Sequence, residues 1–432
     1  MATAALLLLM ETVVLASGPL PWVVGEEFPI AATADDEFGL ALAFDGTSYL
    51  VGFNSDQPSN ASITALMLAQ TGLPISPRIS VGRSGGTPSV AFDGTNYLLV
   101  WEDDETRPSA DVYAQFVNTA GMLVGPAFPV STAPGRQDAM PICVAFGRTT
   151  YLVVWSDYRY TPGSQGPSTV YGQFVSTDGL LLGREIKIST ETGRRPSVAF
   201  DGTNFLVAWV EDDQKTDYYG QFIAEAGEPI GENFLIDATN SISEYFTVML
   251  FDGARYVLTV EDEIGPGQKG YYARLIDTNG RVSDERIPFY EGPAISAAYL
   301  CAFDGQNYLA VLSESMLTAP AKAKAAFFSA TFEPLGDWFT LFETRDGKIP
   351  IAPFAIFDGN KYLVVATRIH ASPPDELWRG DVYGLFLHPA GSPCSEDLPA
   401  DLNGDCYVNW ADIAIFASQW LECRNPSDPA CE

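Results

Sequence analysis

Ser89-Val90-Ala91-Phe92-Asp93-Gly94-Thr95-Asn96-Tyr97-Leu98-Leu99-Val100-Trp101 is the clearest copy of a pattern that occurs seven times in this chain. An apolar segment runs into Phe-Asp-Gly and leaves through an aromatic-led apolar run. The copies centre on Phe44, Phe92, Phe146, Phe200, Phe251, Phe303 and Phe357, and the third is the variant Phe146-Gly147-Arg148. Successive phenylalanines lie 48, 54, 54, 51, 52 and 54 residues apart. A period of that length holds one supersecondary unit, which buries its apolar face only by stacking on further copies. Seven β-rich units of this size predict an all-β, seven-bladed propeller.

Within a unit four strands follow in fixed order. Ser89 to Phe92 is the first, and Asp93-Gly94 signals a hairpin of type I′, whose two central residues need positive φ. The second strand, Tyr97 to Trp101, is apolar almost throughout, as suits a strand packed on both faces. Third strands are expected at residues 112–117, 170–175, 218–223, 271–276, 326–331 and 382–387. Each of these, like the corresponding segment of the first repeat, is followed by a turn ending in Gly: Gly72, Gly121, Gly179, Gly227, Gly280, Gly336 and Gly391. The fourth strand reads as short, as in Phe128-Pro129-Val130 and Ile186-Lys187-Ile188. Proline there implies an outer edge, where a missing N–H breaks no ladder.

Six blades have such a fourth strand and the seventh has none. The missing one stands at the other end of the chain, where Glu26-Glu27-Phe28-Pro29-Ile30 precedes the first repeat. An N-terminal strand is therefore expected to complete blade seven, because otherwise the ring leaves one blade edge unpaired.

The chain has 432 residues, 47% hydrophobic and 12% aromatic, enough for a large core. Its formal charge of −31 argues against nucleic acid or anionic lipid as partner, since an acidic surface neutralises no phosphate. Residues 1–18 carry a short apolar run (Leu6 to Leu9, Val13 to Ala16) ending in small residues, the shape of an export signal and too short to span a bilayer. No other segment is a membrane-span candidate. Residues 22–392 hold the propeller. In residues 393–432 four of the six cysteines crowd together, Cys394, Cys406, Cys423 and Cys431, which suits a small disulfide-stapled module in an oxidising, extracellular or cell-surface setting. Three pairings of these four are possible. Cys143 and Cys301, in first strands of blades three and six, read as separate thiols.

Within that module, Asp401, Asn403, Asp405, Asn409 and Asp412 occupy positions 1, 3, 5, 9 and 12 of a loop, and the Tyr407 carbonyl falls at position 7. Ca2+ takes six to eight oxygen ligands, and this spacing wraps them round one ion. Residues 411–421 then read as a helix with Ile413, Phe416, Ala417, Trp420 and Leu421 on one face. Loop and helix together resemble one type I dockerin repeat over Asp401 to about Leu421. The resemblance implies a Ca2+-dependent docking module whose partner is a cohesin-like domain of an extracellular assembly; another protein is the alternative partner.

No nucleophile elbow, zinc-protease, P-loop or dinucleotide motif occurs in the chain. The loops between second and third strands vary in length and chemistry and share one face of the ring, which makes that face the candidate ligand surface. It offers Trp101, Asp103, Asp157, Tyr158, Arg159, Tyr160, Trp209, Asp212 and Trp378, with Glu261-Asp262-Glu263 beside them. Aromatic rings beside carboxylates suit a glycan, through stacking on C–H faces and hydrogen bonds to hydroxyls; the same tryptophans, closing apolar strands, equally suit packing between blades. Two functions follow: a secreted, non-catalytic propeller binding glycan or protein, or a glycoside hydrolase or lyase using channel carboxylates. Titration of the oxidised module, residues 393–432, is expected to show one Ca2+ bound with a gain of helical circular dichroism, both lost in Asp401→Ala; no calcium heat from the wild-type module would remove the metal site.

Overall fold

The computed structural model describes residues 22–33, 36–56, 62–83, 86–103, 110–131, 133, 142–159, 167–211, 216–239, 248–315, 320–370 and 380–389. Their strands form seven antiparallel sheets, one per repeat, and the protein is a seven-bladed β-propeller. Blade 1 takes the strands Asp36–Phe44, Ser48–Asp56, Ser62–Ala69 and Ile79–Arg83, each hydrogen-bonded to the next. Blades 2 to 6 repeat that order. First strands of neighbouring blades touch one another round the whole circle, the seventh meeting the first, so they form the inner wall. Second strands are buried almost without interruption: Tyr97, Leu98, Leu99 and Val100 have no exposed surface. Their side chains alternate between the two adjoining blades. Leu99 and Tyr97 join a cluster with Leu50, Ala65 and Met67 of blade 1, while Leu98 and Val100 join Tyr151 and Val153 of blade 3. This is the two-sided burial that a near-continuous apolar strand requires.

Closure is by the N-terminus. In blade 7 the third strand, Gly380–Pro389, pairs with Trp22–Val24 (Trp22 opposite Pro389) and with Phe28–Ala31 (Phe28 opposite Gly384). The closing strand thus starts earlier than the expected Glu26 and is bent into two parts. The other blades explain why. In blade 2 the fourth strand is Leu123–Ser131, not the three residues around Pro129, and its register shifts between Val124 and Phe128. The proline-containing piece is only the outer half of a strand that resumes after a bulge. Trp22, 8% exposed, stacks on Phe327 at 5.2 Å and meets Tyr362 edge-on at 5.0 Å, which pins the N-terminus between blades 6 and 7.

The Phe-Asp-Gly turn differs from the type I′ expectation. Positive φ falls on Gly46, Gly94, Gly202, Gly253, Gly305 and Gly359 and on none of the preceding aspartates, a pattern closer to type II′. The aspartate works through its side chain: Asp93 Oδ1 accepts the Thr95 and Asn96 amides at 2.7 and 2.6 Å, and Asp45, Asp201, Asp252, Asp304 and Asp358 do the same. The tyrosine that opens the next blade's second strand then reaches back to this turn. Tyr49 Oη donates to Asp358 at 2.5 Å across the closing seam, Tyr308 to Asp252, and Tyr97, Tyr151 and Tyr256 to the carbonyls of Ser48, Asn96 and Asn204. Burial, then the neighbouring aspartate, pushes the Tyr97, Tyr151 and Tyr256 hydroxyls well above their ordinary pKa, so they remain donors.

Blade 3 breaks this pattern and repairs it. Gly147 stands where other turns have aspartate, and Phe205 of blade 4 has no hydroxyl to send back. Glu225, from the outer turn of blade 4, accepts the Arg148 and Thr149 amides at 2.6 and 2.8 Å and pairs with Arg148 Nε at 3.1 Å. A Cβ on Gly147 would sit 2.8 Å from both Glu225 Oε1 and the Phe205 ring. The cap is supplied from the neighbouring blade. Blade 6 departs too. Its third strand is Lys322–Ser329 rather than residues 326–331, and the following turn closes at Phe332 (φ 64°), four residues before Gly336, with the Phe332 ring stacked on Tyr308 at 4.5 Å. Cys143 and Cys301 are free, partly buried thiols.

Trp22→Ala is expected to lower unfolding free energy by about 3–5 kcal/mol in denaturant titration, the usual cost of deleting a core tryptophan. Glu225→Ala should cost about 1–3 kcal/mol through its lost charge-assisted hydrogen bonds. Burial alone would raise the Glu225 pKa, but the Thr149 and Arg148 donors outweigh it and hold it below the ordinary 4.5. A depressed carboxyl stabilises fully above its unfolded pKa and loses that contribution as pH falls through the folded one. The stability gap between wild type and Glu225→Gln should therefore narrow below about pH 4.5.

Candidate functional site

The second strand of blade 3 ends in Trp155-Ser156-Asp157, and the chain turns at Tyr158-Arg159. Asp157, 2% exposed, fixes that turn. Trp155 Nε1 donates to its Oδ2 at 3.0 Å, the Arg159 amide and Nε donate to Oδ1 at 2.8 Å, and Arg159 Nη2 to Oδ2 at 2.5 Å. A bidentate guanidinium–carboxylate pair of this kind sets orientation as well as charge. The guanidinium lies over Tyr171 at 4.0 Å, and its Nη1 meets Glu185 Oε2 at 2.7 Å. Burial opposes the charge on Arg159, but Asp157 and Glu185 outweigh it and raise the guanidinium pKa above its ordinary value. Ser131, from the outer strand of blade 2, donates its hydroxyl to the other oxygen of Glu185. A polar chain thus crosses from one blade to the next.

That chain floors a cavity of about 710 Å3 between blades 2 and 3. Pro129, Val130 and Ser131 wall it from blade 2; Tyr171, Leu181, Arg184, Glu185 and Lys187 wall it from the third and fourth strands of blade 3. The volume suits a small organic ligand. Of the expected ligand residues among the described ones, only Arg159 lines it, with Asp157 one contact behind.

The other expected residues lie apart. Trp101, Trp155 and Trp209 are at most 2% exposed and pack between blades, Trp101 against Gly82 of blade 1 and Trp209 against Gly193. Asp103 is half-buried at the mouth of the blade 2 hairpin, directly opposite Asp111. Burial, then Asp103, raises the Asp111 pKa. Glu261, Asp262 and Glu263 belong to strand Arg255–Gly265 rather than to a loop, because that hairpin continues to a two-residue turn. Tyr160, Asp212, Trp378, the calcium positions Asp401, Asn403, Asp405, Tyr407, Asn409 and Asp412, and Cys394, Cys406, Cys423 and Cys431 lie outside the described residues.

Carboxylates along this rim are engaged in ion pairs. Glu261 holds Lys269, Asp262 holds Arg286, Glu314 holds Lys324 and Asp381 holds Lys348, each at 2.5 Å. Glu27 holds Arg368 at 2.5 Å, and the fully buried Glu37 holds Arg78.

No protein-family model matches the chain, and no curated protein matches it. Solved structures of similar shape include a protein of unknown function from Dyadobacter fermentans (11% identity, TM-score 0.48, covering 85% of this chain and 99% of that one). The β-propeller domain of the Trilobed protease from Pyrococcus furiosus is another (10%, 0.47, 81% and 95%). A third is a neuraminidase-like protein from A/bat/Guatemala/164/2009 (8%, 0.46, 85% and 93%). At these identities the likeness concerns the propeller fold alone.

Arg159→Ala leaves the buried Asp157 carboxylate without its counter-charge and should cost about 3–5 kcal/mol in denaturant titration. A loss under 1 kcal/mol would show that the pair does not organise this corner.

Proposed function

We propose that this propeller is a non-catalytic recognition protein that binds glycan, exported and attached to an extracellular assembly or surface by a Ca2+-dependent, dockerin-like tail engaging a cohesin-like partner. The observation that carries the recognition reading is the cavity between blades 2 and 3. It is pre-organised by Arg159, Glu185 and Ser131, and combines apolar walls with fixed hydrogen-bonding groups. The ion-paired carboxylates of the rim add support, because each is already committed to an arginine or lysine side chain. The tail reading rests on the spacing of the six calcium positions from Asp401 to Asp412.

The second reading is a carbohydrate-active enzyme, and Asp103 opposite Asp111 is what favours it. Like charges directly opposite on a hairpin destabilise it, and a carboxyl with a raised pKa beside a second carboxyl is the arrangement of an acid and its partner in glycoside cleavage. A glycan array probed with the full-length protein tests both readings. Retention on glycans without release of reducing ends is the expected outcome. Release that Asp111→Asn abolishes would replace the first reading with the second, and an array with no retained glycan would remove both.

A further inference from the structure

The charge of the inter-blade cavity runs against the rest of the molecule. The chain carries −31 overall, yet three cations, Arg159, Arg184 and Lys187, line this one cavity. Arg159 is spent: Asp157 and Glu185 occupy its guanidinium. Glu185 is spent as well, between Arg159 and the Ser131 hydroxyl. Arg184 and Lys187 remain. Arg184 is exposed and Lys187 Nζ donates to the Thr190 carbonyl at 3.0 Å, and among the described residues neither makes an ion pair. Both stand on the blade 3 outer strand, Leu181–Lys187, which also contributes Leu181 to the wall.

We propose that this cavity is selective for an anionic sugar residue, carboxylated or sulfated, within a polysaccharide. The acid group sits against Arg184 and Lys187, the hydroxyls face Glu185 and Ser131, and the C–H face lies on Pro129, Val130 and Leu181. Arginine and lysine differ in what they offer an acid group, a planar fork and a mobile point charge, and the two together accept either a carboxylate or a sulfate. The surrounding negative field repels polyanions from the rest of the surface, so an acidic chain finds its favourable contact here. This inference rests on the glycan-binding reading above and narrows it.

The test compares three oligosaccharides of equal length on the full-length protein by calorimetry: oligogalacturonate, sulfated oligogalactan and neutral oligogalactan. At least one charged probe is expected to bind tenfold or more tightly than the neutral one and to weaken at higher salt. Arg184→Ser/Lys187→Ser should remove that preference, with the melting temperature unchanged because both side chains project from an outer strand. The charged probe that responds identifies the acid group. Equal affinity for charged and neutral probes, a preference untouched by the double substitution, or binding to none of the three overturns the proposal, while the glycan reading stands or falls by the array.

Discussion

A hydroxyl reaching back to the preceding turn is the contact on which the ring depends. Each Phe-Asp-Gly turn is closed by its own aspartate, and at five of them the following blade sends a tyrosine hydroxyl to that turn. One side chain therefore completes a hairpin while another sets the distance between blades. Because the linked groups are buried, water does not substitute for a lost partner, and the spacing is held to hydrogen-bond length. The third turn confirms this by exception. Its aspartate and the matching tyrosine hydroxyl are missing together, and Glu225 supplies the carboxylate from the far side of the same junction.

The architecture was legible because it is periodic: seven copies at nearly equal spacing admit few arrangements, and the displaced fourth strand pointed to closure. What was not legible depended on contacts between copies. The turn departs from type I′ because Asp93 caps with its carboxylate instead of adopting positive φ. The fourth strand was read too short because a bulge separates its two halves, and apolar residues before the bulge, such as Leu123 and Val124, are exposed. Phe332 could not be expected in a left-handed turn, since the stacking on Tyr308 that accompanies its strain comes from another strand.

The candidate site was half legible for the same reason. Asp157 and Arg159 stand two residues apart and invite attention as an acidic-aromatic loop. Ser131, Tyr171, Arg184, Glu185 and Lys187 come from other strands and from two blades, and no linear pattern joins them. The tryptophans have two readings, and burial places Trp101, Trp155 and Trp209 between blades. Many of the rim carboxylates are committed to lysine and arginine.

Closure by the N-terminus also orders events in time. Phe28 pairs with Gly384, so the closing strand waits for one at the far end of the propeller to be synthesised. Until blade 7 emerges, the early strand remains without its pairing partner and one face of blade 1 without its neighbour, and an unpaired strand is a template for intermolecular pairing. Contacts of this sequence separation also slow the final step. A nascent chain of this design gains its last blade and its circular continuity at once, which makes the completed ring a late, cooperative product rather than the sum of blades folded one after another.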